Sequence, residues 1–327
     1  MSSARIAVIG SFVQDLAFTV ETFPAPGETR IGNFFTGPGG KGSNQAVAAH
    51  RQKVPTIFIG AVGNDLFGHG YREWTQGEGL PTSLLTDPTA PTGAASIVVN
   101  AHAENSIVVA LGANENLTAE HTLNTLAKNL ELSILLLQAE SNLDAAQAAL
   151  THGRARGIFS IFNPAPINPA VSKDLLSYAD CITPNETEAS YLIERISGRR
   201  CSTDFATLSD DAIRECCDVL PASTVVLTLG SSGSLLYQRG APHPYLRNVA
   251  KGEIVRTEPL SITPVDTTGA GDAFNGGLAA GLIRFSGDIK QAIRYATVVA
   301  GLSTTRAGTA PAMPSLDEVE TYRSFYE

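Results

Sequence analysis

Residues 118–163 read TAEHTLNTLAKNLELSILLLQAESNLDAAQAALTHGRARGIFSIFN. The stretch divides into a helix at 118–129, a strand at 134–138, a helix at 142–156 and a strand at 158–163. The run Ile134-Leu135-Leu136-Leu137 has the length of a buried strand, far short of the ~18–20 apolar residues that cross a bilayer. Helix and strand alternating in this way predict a mostly parallel sheet with helices on both faces.

Toward the N-terminus, residues 5–10 read as a short buried strand ending at a glycine. A helix rich in Ala, Asn and Gln follows at 42–52, then a strand at 56–62 and a helix at 66–76. Toward the C-terminus, a strand at 224–229 and helices at 271–283 and 289–304 continue the alternation. Two strand pairs do not fit it. One is 15–20 with 29–35, about a turn holding Pro24, Pro26 and Gly27; the other is 94–100 with 106–110, a hairpin about the polar residues 102–105. They mark a separate small sheet from about 13–36 and 92–112. No internal repeat, low-complexity tract or long linker is visible, so the chain reads as one doubly wound α/β domain over 1–327 with that sheet attached.

Composition narrows the function classes. Of 327 residues, 43% are hydrophobic and 17% charged, which is globular rather than disordered. The opening MSSARIAVIG lacks the long apolar core of a secretory leader, so the chain reads as soluble and cytoplasmic. A net charge of −9 argues against a general nucleic-acid binder, but not against a phosphate ligand, which backbone N–H groups can hold. The six histidines are scattered, with no pair at zinc spacing. Cys181, Cys201, Cys216 and Cys217 show no C-x-x-C spacing, and the adjacent pair makes a poor disulfide framework, so four reduced thiols are expected.

In open α/β sheets ligands bind beyond the carboxyl ends of the strands, and four segments there carry unusual residues. The first runs from Gly37 to Asn44 as GPGGKGSN. It contains G-x-G-x-x-G, weak support for a dinucleotide site, because the preceding strand alternates and the first strand lacks the motif. It is not a Walker A loop, since Gly follows Lys41. Its glycines, Lys41 and Asn44 suit a backbone that closes on a polar ligand. The second, VDTTGAGDAF from Val265 to Phe274, leads directly into a helix. Gly269, Ala270 and Gly271 there present free N–H groups at the positive helix end. Asp272 is either a helix cap or a base beside an anion hole. The third is Thr183-Pro184-Asn185-Glu186-Thr187-Glu188, where Asn185 and Glu188 also fit a capping box. The fourth, Thr228-Leu229-Gly230-Ser231-Ser232-Gly233, opens a strand end into a glycine turn.

Together these residues resemble the ribokinase-like sugar kinases, the PfkB family. Its N-terminal signature is similar to GGKGSNQA at 39–46 and its C-terminal one to DTTGAGDAFNG at 266–276, with FNPAP at 162–166 and TPNETE at 183–188 between them. The resemblance covers about residues 6–314. It implies a parallel α/β core with a small β lid that also makes a homodimer contact, and an ATP-dependent kinase acting on a small sugar with Mg²⁺ and K⁺. It further implies Asp272 as base and Gly269, Ala270 and Gly271 as the anion hole. Asp15, Gly39, Gly40, Lys41, Gly42, Asn44 and Glu140 would hold the sugar. Asn185, Thr228, Gly230, Ser231, Gly233, Gly271 and Thr297 would line the nucleotide site, with Glu188 on Mg²⁺ through water. Asp266, Thr268, Ser303, Arg306 and Gly308 match the surroundings of the monovalent cation.

One departure matters. Some members carry Asn where this chain has Val13, and others are apolar there. D-ribose is the expected substrate, with 2-deoxyribose, another sugar or a nucleoside as alternatives within the family. Two further readings remain: a sugar-binding regulator that has lost catalysis, and a dehydrogenase using residues 37–42.

Overall fold

Ile6–Ile9 is buried at every position, and its side chains divide between two cores. Ile6 and Val8 pack on one face of the sheet, Ala7 and Ile9 on the other. Leu136 and Leu137 part in the same way. Continuous apolar runs of this kind belong to strands covered on both sides. The computed structural model describes residues 5–102 and 104–327. Met1–Ala4, within the stretch read as lacking a leader, and Ala103, within the polar turn at 102–105, lie outside the described residues.

In chain order the strands are β1 (Ile6–Ile9), β2 (Val13–Thr19), β3 (Asn33–Gly39), β4 (Thr56–Gly63), β5 (Thr82–Asp87), β6 (Gly93–Val99) and β7 (Asn105–Ala110), then β8 (Ile134–Gln138), β9 (Phe159–Asn163), β10 (Cys181–Ile182), β11 (Thr224–Thr228), β12 (Ser234–Gln238) and β13 (Ile254–Thr257). Nine of them form one sheet in the order β13-β12-β11-β10-β9-β8-β1-β4-β5, parallel from β11 through β5, with β12 and β13 antiparallel at one edge. The chain winds outward from β1 in both directions, so the sheet has its switch point beside β1 and β8. On one face lie α1 (Lys41–Arg51), α8 (Ala270–Arg284) and α9 (Ile289–Ser303). On the other lie α3 (Ala119–Lys128), α4 (Leu143–Arg156) and α6 (Glu186–Ser197). The helices α2 (Leu66–Glu78), α5 (Lys173–Ser177) and α7 (Asp210–Cys217) complete the numbering to α9.

A second sheet stands apart in the order β3-β2-β6-β7. Its strand β3 begins four residues later than the sequence pattern indicates. Gly37, Pro38 and Gly39 belong to it, paired with Asp15, Gln14 and Val13 of β2. The G-x-G-x-x-G match therefore starts on a strand of the small sheet, and the dinucleotide geometry, which needs the first strand of the parallel sheet, is absent.

The cysteine expectation is corrected. Cys201 and Cys216 are joined by a disulfide with Cα atoms 6.4 Å apart, inside the range a bridge spans. Neighbouring helix positions face different ways: Cys217 is buried in the core, while Cys216 meets the segment that returns from α6. Cys181 and Cys217 are free and buried; burial pushes the Cys217 thiol up to about 12 and raises that of Cys181 as well.

Candidate active site

The site forms at the switch point. Ser11, just beyond β1, donates from its hydroxyl to Glu140 Oε2 at 2.5 Å, and Glu140 lies just beyond β8. The same carboxylate oxygen accepts the backbone N–H of Lys41 at 2.8 Å. That N–H is one of the unpaired donors at the start of α1, so Glu140 caps the helix from another strand. Gly40 enters the helix at φ +86°, where an L side chain is strained. Gly42 faces the backbone of Gly10 and Ser11 so closely that there is no room for a Cβ.

From α1, Asn44 and Gln45 reach across to α8. Asn44 Nδ2 donates to Asp272 Oδ2 at 2.9 Å and Gln45 Nε2 to Asp272 Oδ1 at 3.0 Å. Asp272 is buried and lies in the first turn of α8, but Gly269 at the N-cap has no side-chain bond and Asp272 caps nothing. Of the two sequence readings of this carboxylate, the cap is therefore set aside. Lys41 stands among the carboxylates of Asp272, Glu140 and Glu188. Burial alone would lower the pKa of its ammonium, and the three negative charges outweigh it, leaving it above the ordinary value.

Asp15 comes from β2 of the small sheet. Its Oδ2 accepts the Thr309 hydroxyl at 3.1 Å, and that hydroxyl also lies 3.2 Å from the Pro38 carbonyl. Burial pushes the Asp15 carboxyl up to about 6; the Thr309 bond opposes this, and the charges of Glu140 and Asp272 reinforce it. An acid so raised is ionised above pH 6 and neutral below it. If Asp15 accepts ligand hydroxyls, the sugar KM should stay flat above pH 7 and rise as pH falls through 6, by about tenfold per unit at the limit. Asp15→Asn should remove that slope. A wild-type KM constant from pH 5 to 8 would exclude Asp15 as an ionised acceptor.

Beside this cluster a cavity of about 710 Å³ opens beyond β10 and β11. Asn185, Thr228, Gly230, Ser231, Gly233, Gly271 and Thr297 all line it. Asn185 accepts the Glu188 backbone N–H at 2.8 Å, while Glu188 Oε2 accepts that of Asn185 at 2.9 Å, so the capping box exists. It occupies one carboxylate oxygen of Glu188 and leaves Oε1 for other partners. Burial raises the pKa of this carboxyl, against the Asn185 bond and the Lys41 charge. The glycine turn after β11 is a short 3₁₀ segment, Gly230–Ser232, leading into the antiparallel β12.

Asp266, Thr268 and Gly308 converge in the loop before α8. Asp266 Oδ1 accepts the Thr268 N–H at 2.9 Å and Oδ2 the Gly308 N–H at 3.1 Å. Ser303 ends α9 and donates to the Ala300 carbonyl at 2.8 Å. The Arg306 side chain turns away to Glu318, so only its backbone can serve this loop. Val13 is buried on the same face of β2 as Asp15, opposite Gly39.

Sequence reasoning missed Ser11, Gln45 and Thr309, and the cavity wall formed by Leu260 and Ile262. Thr309 lies 294 positions from Asp15, and no local pattern couples such positions. The wall, Leu260-Ser261-Ile262-Thr263, alternates like a strand, but it is short, is bounded by Pro259 and Pro264, and forms none.

The sequence matches the profile of the pfkB family carbohydrate kinases over residues 3–316. It is 33% identical to a protein named ribokinase from Bacillus subtilis, over 97% of this chain and 98% of that protein. A Salmonella typhi protein named deoxyribokinase is 32% identical, over 98% and 99% of the two chains. Arabidopsis thaliana ribokinase, solved in complex with ribose and ATP, superposes with a TM-score of 0.82 at 26% identity, covering 98% of each chain. With both signatures in place at one end of the sheet and the profile spanning nearly the whole length, the chain belongs to the pfkB family of carbohydrate kinases.

Proposed function

We propose that this protein transfers the γ-phosphoryl group of ATP to the primary hydroxyl of a free pentose, with D-ribose giving D-ribose 5-phosphate. One observation carries the reading. Ala270 and Gly271 line the large cavity, while Asp272, next in the chain, is gripped by Asn44 and Gln45 from the opposite side. A base and an anion hole on consecutive residues thus stand between a nucleotide-sized cavity and the polar cluster of Lys41, Asn44, Glu140 and Asp15. The names of the B. subtilis and A. thaliana relatives support ATP and ribose as the pair.

Phosphoryl transfer asks mainly for alignment and charge stabilisation. A carboxylate is too weak a base to strip an alcohol beforehand, but Asp272 can take the proton late, as the attacking oxygen commits. Lys41, Glu140 and Asp15 fix the sugar hydroxyls, and the N–H groups of Gly269 and Gly271 face the transferring group, while the Ala270 N–H expected beside them is instead bonded to the Thr267 carbonyl at 3.2 Å. Glu188, whose capping bond engages only Oε2, would hold a Mg²⁺ through water. When bound it offsets phosphate charge. The small sheet then acts as a lid over the sugar that excludes competing water. Its outer face exposes Phe18, Phe34 and Val108, apolar enough to seat a second copy as a homodimer. No described helix is long and apolar enough to cross a membrane. We place the enzyme with its ATP in the cytoplasm, where Cys201–Cys216 would face reducing conditions. ADP release measured across a panel of pentoses, hexoses and nucleosides tests the function. Ribose should lead, and turnover confined to a hexose or nucleoside would overturn the substrate.

The second reading, 2-deoxyribose, rests on Val13. An apolar side chain cannot partner a hydroxyl, and an unpartnered buried hydroxyl costs ~1–3 kcal/mol. We therefore expect D-ribose to be accepted and 2-deoxyribose to be penalised little, and Val13→Asn to raise the ribose-to-deoxyribose ratio of kcat/KM. An unchanged ratio would show that Val13 does not face the distinguishing hydroxyl.

The loop of Asp266, Thr268, Ser303, Arg306 and Gly308 offers one carboxylate with hydroxyl and backbone oxygens, a set suited to a single positive charge. A cation there would stiffen the adjoining residues 269–271. Replacing Na⁺ by K⁺ at constant ionic strength should raise kcat; a flat response would remove the cation from the mechanism.

A further inference from the structure

Beneath Asp272 a row of buried amides runs back into the sheet. Gln138, the last residue of β8, donates from Nε2 to Gln45 Oε1 at 2.6 Å. Gln45 in turn donates from Nε2 to Asp272 Oδ1 at 3.0 Å and to Asn163 Oδ1 at 3.2 Å. Gln45 and Gln138 are fully buried. The carboxylate accepts only, so Gln45 must offer it N–H, which turns the Gln45 carbonyl toward Gln138 and requires N–H there too. The direction of both amides is thereby fixed from the carboxylate outward. The remaining Gln138 carbonyl, Oε1, is buried with no partner among the described residues, in space left by the missing side chain of Gly10. A buried unpartnered carbonyl is destabilising, so packing alone does not account for an amide at 138.

We propose that Gln138 is a positioning residue for phosphoryl transfer: by fastening the Gln45 amide it holds the Asp272 carboxylate in the plane from which it takes the sugar proton. This rests on Asp272 being the base. Gln138 itself is separated from that carboxylate by the whole Gln45 side chain, so its effect reaches the reaction only through the amide pair.

Two variants of similar size separate polarity from packing. Gln138→Glu sets an acceptor against Gln45 Oε1 and turns the Gln45 amide, placing its oxygen against Asp272. Gln138→Met removes the fastening without turning it. Helix α1 also carries Lys41 and Asn44 of the sugar site, so a merely loosened helix would raise the sugar KM. A turned amide would lower kcat alone. The expected result is a kcat loss of about tenfold or more in Gln138→Glu and a smaller loss of about threefold in Gln138→Met, whose Gln45 amide is loosened but not turned, with both KM values within about twofold of wild type. Equal kcat losses in the two variants, or losses matched by a rise in sugar KM, would overturn the proposal. If Gln138→Glu does not fold, Gln45→Met carries the same test, because it removes the donor to Asp272 directly: kcat should fall about tenfold at unchanged ATP KM, and full kcat would overturn the proposal. A wild-type protein inactive on every sugar would instead remove the kinase reading itself.

Discussion

Asp272→Asn lowers kcat by roughly 10²- to 10⁴-fold, the usual worth of a positioned general base, while leaving the fold and ATP binding close to wild type. The amide matches the carboxylate in shape. The cavity beside it is walled by Ala270 and Gly271 rather than by Asp272, so the nucleotide meets the same surface. What changes is acceptance. Asn44 and Gln45 both donate to the native carboxylate, and an amide offers one oxygen and one NH₂ group, so one of the two must turn. Some loss will come from that rearrangement, but the proton acceptor is gone in any orientation. Steady-state kcat with saturating sugar, beside calorimetric ATP affinity, checks it. A variant with more than about a tenth of wild-type kcat would remove Asp272 as the base.

Gly42→Ala should cost both stability and activity. A Cβ at position 42 would lie 2.5 Å from the Ser11 nitrogen, 2.7 Å from the Gly10 carbonyl carbon and 2.8 Å from Gly10 Cα. All three are backbone atoms at the end of β1, so no side chain can swing aside and α1 must back away. Overpacking of this kind costs ~1–3 kcal/mol. The displacement also moves Lys41, Asn44 and Gln45 together, and a shift of ~1 Å at reacting groups is worth about 10²-fold. Gly70→Ala is the control. It sits inside α2 with nothing within 4 Å of its Cβ, where alanine is better than glycine by ~0.5–1 kcal/mol. Thermal melts and kcat/KM of both variants give the comparison. A Gly42→Ala protein that melts with wild type and keeps a third of its activity would mean that the close approach does not constrain α1.

The parallel core was legible because its strands are short, apolar and separated by helical spacing. Residues 134–138 needed no adjustment at either end. Boundaries slipped where glycine continues a strand: 37–39 pair in register with β2, although small residues signal a loop. The edge strands β5 and β13 escaped notice because they are only partly buried and alternate weakly, and β12, although buried throughout, begins directly after the glycine turn at 230–233 and merges with it. Within the site, Lys41, Asn44, Asp272 and Asn185 stood out through unusual local spacing. Gln45 lies between conspicuous neighbours, and nothing in its surroundings in the chain shows that its amide meets Asp272. Glu140 could be placed only through resemblance, since its partners Ser11 and Lys41 are 129 and 99 positions away.

The strand β2 has a practical consequence for anyone who modifies this protein. Its side chains alternate, so Val13 and Asp15 lie on one face while Phe18 lies on the other, exposed one. Solubility engineering would begin with the exposed phenylalanines, replacing Phe18 or Phe34 by charged residues. Those positions share a ribbon with Val13 and Asp15, which we propose meet the sugar, and β3 passes through Gly40 alone into α1. A cosmetic change to the exterior is thus also a change to the ribbon that carries the proposed sugar site, and catalytic constants from surface-redesigned versions should be compared with the unmodified chain before they are used as those of the enzyme.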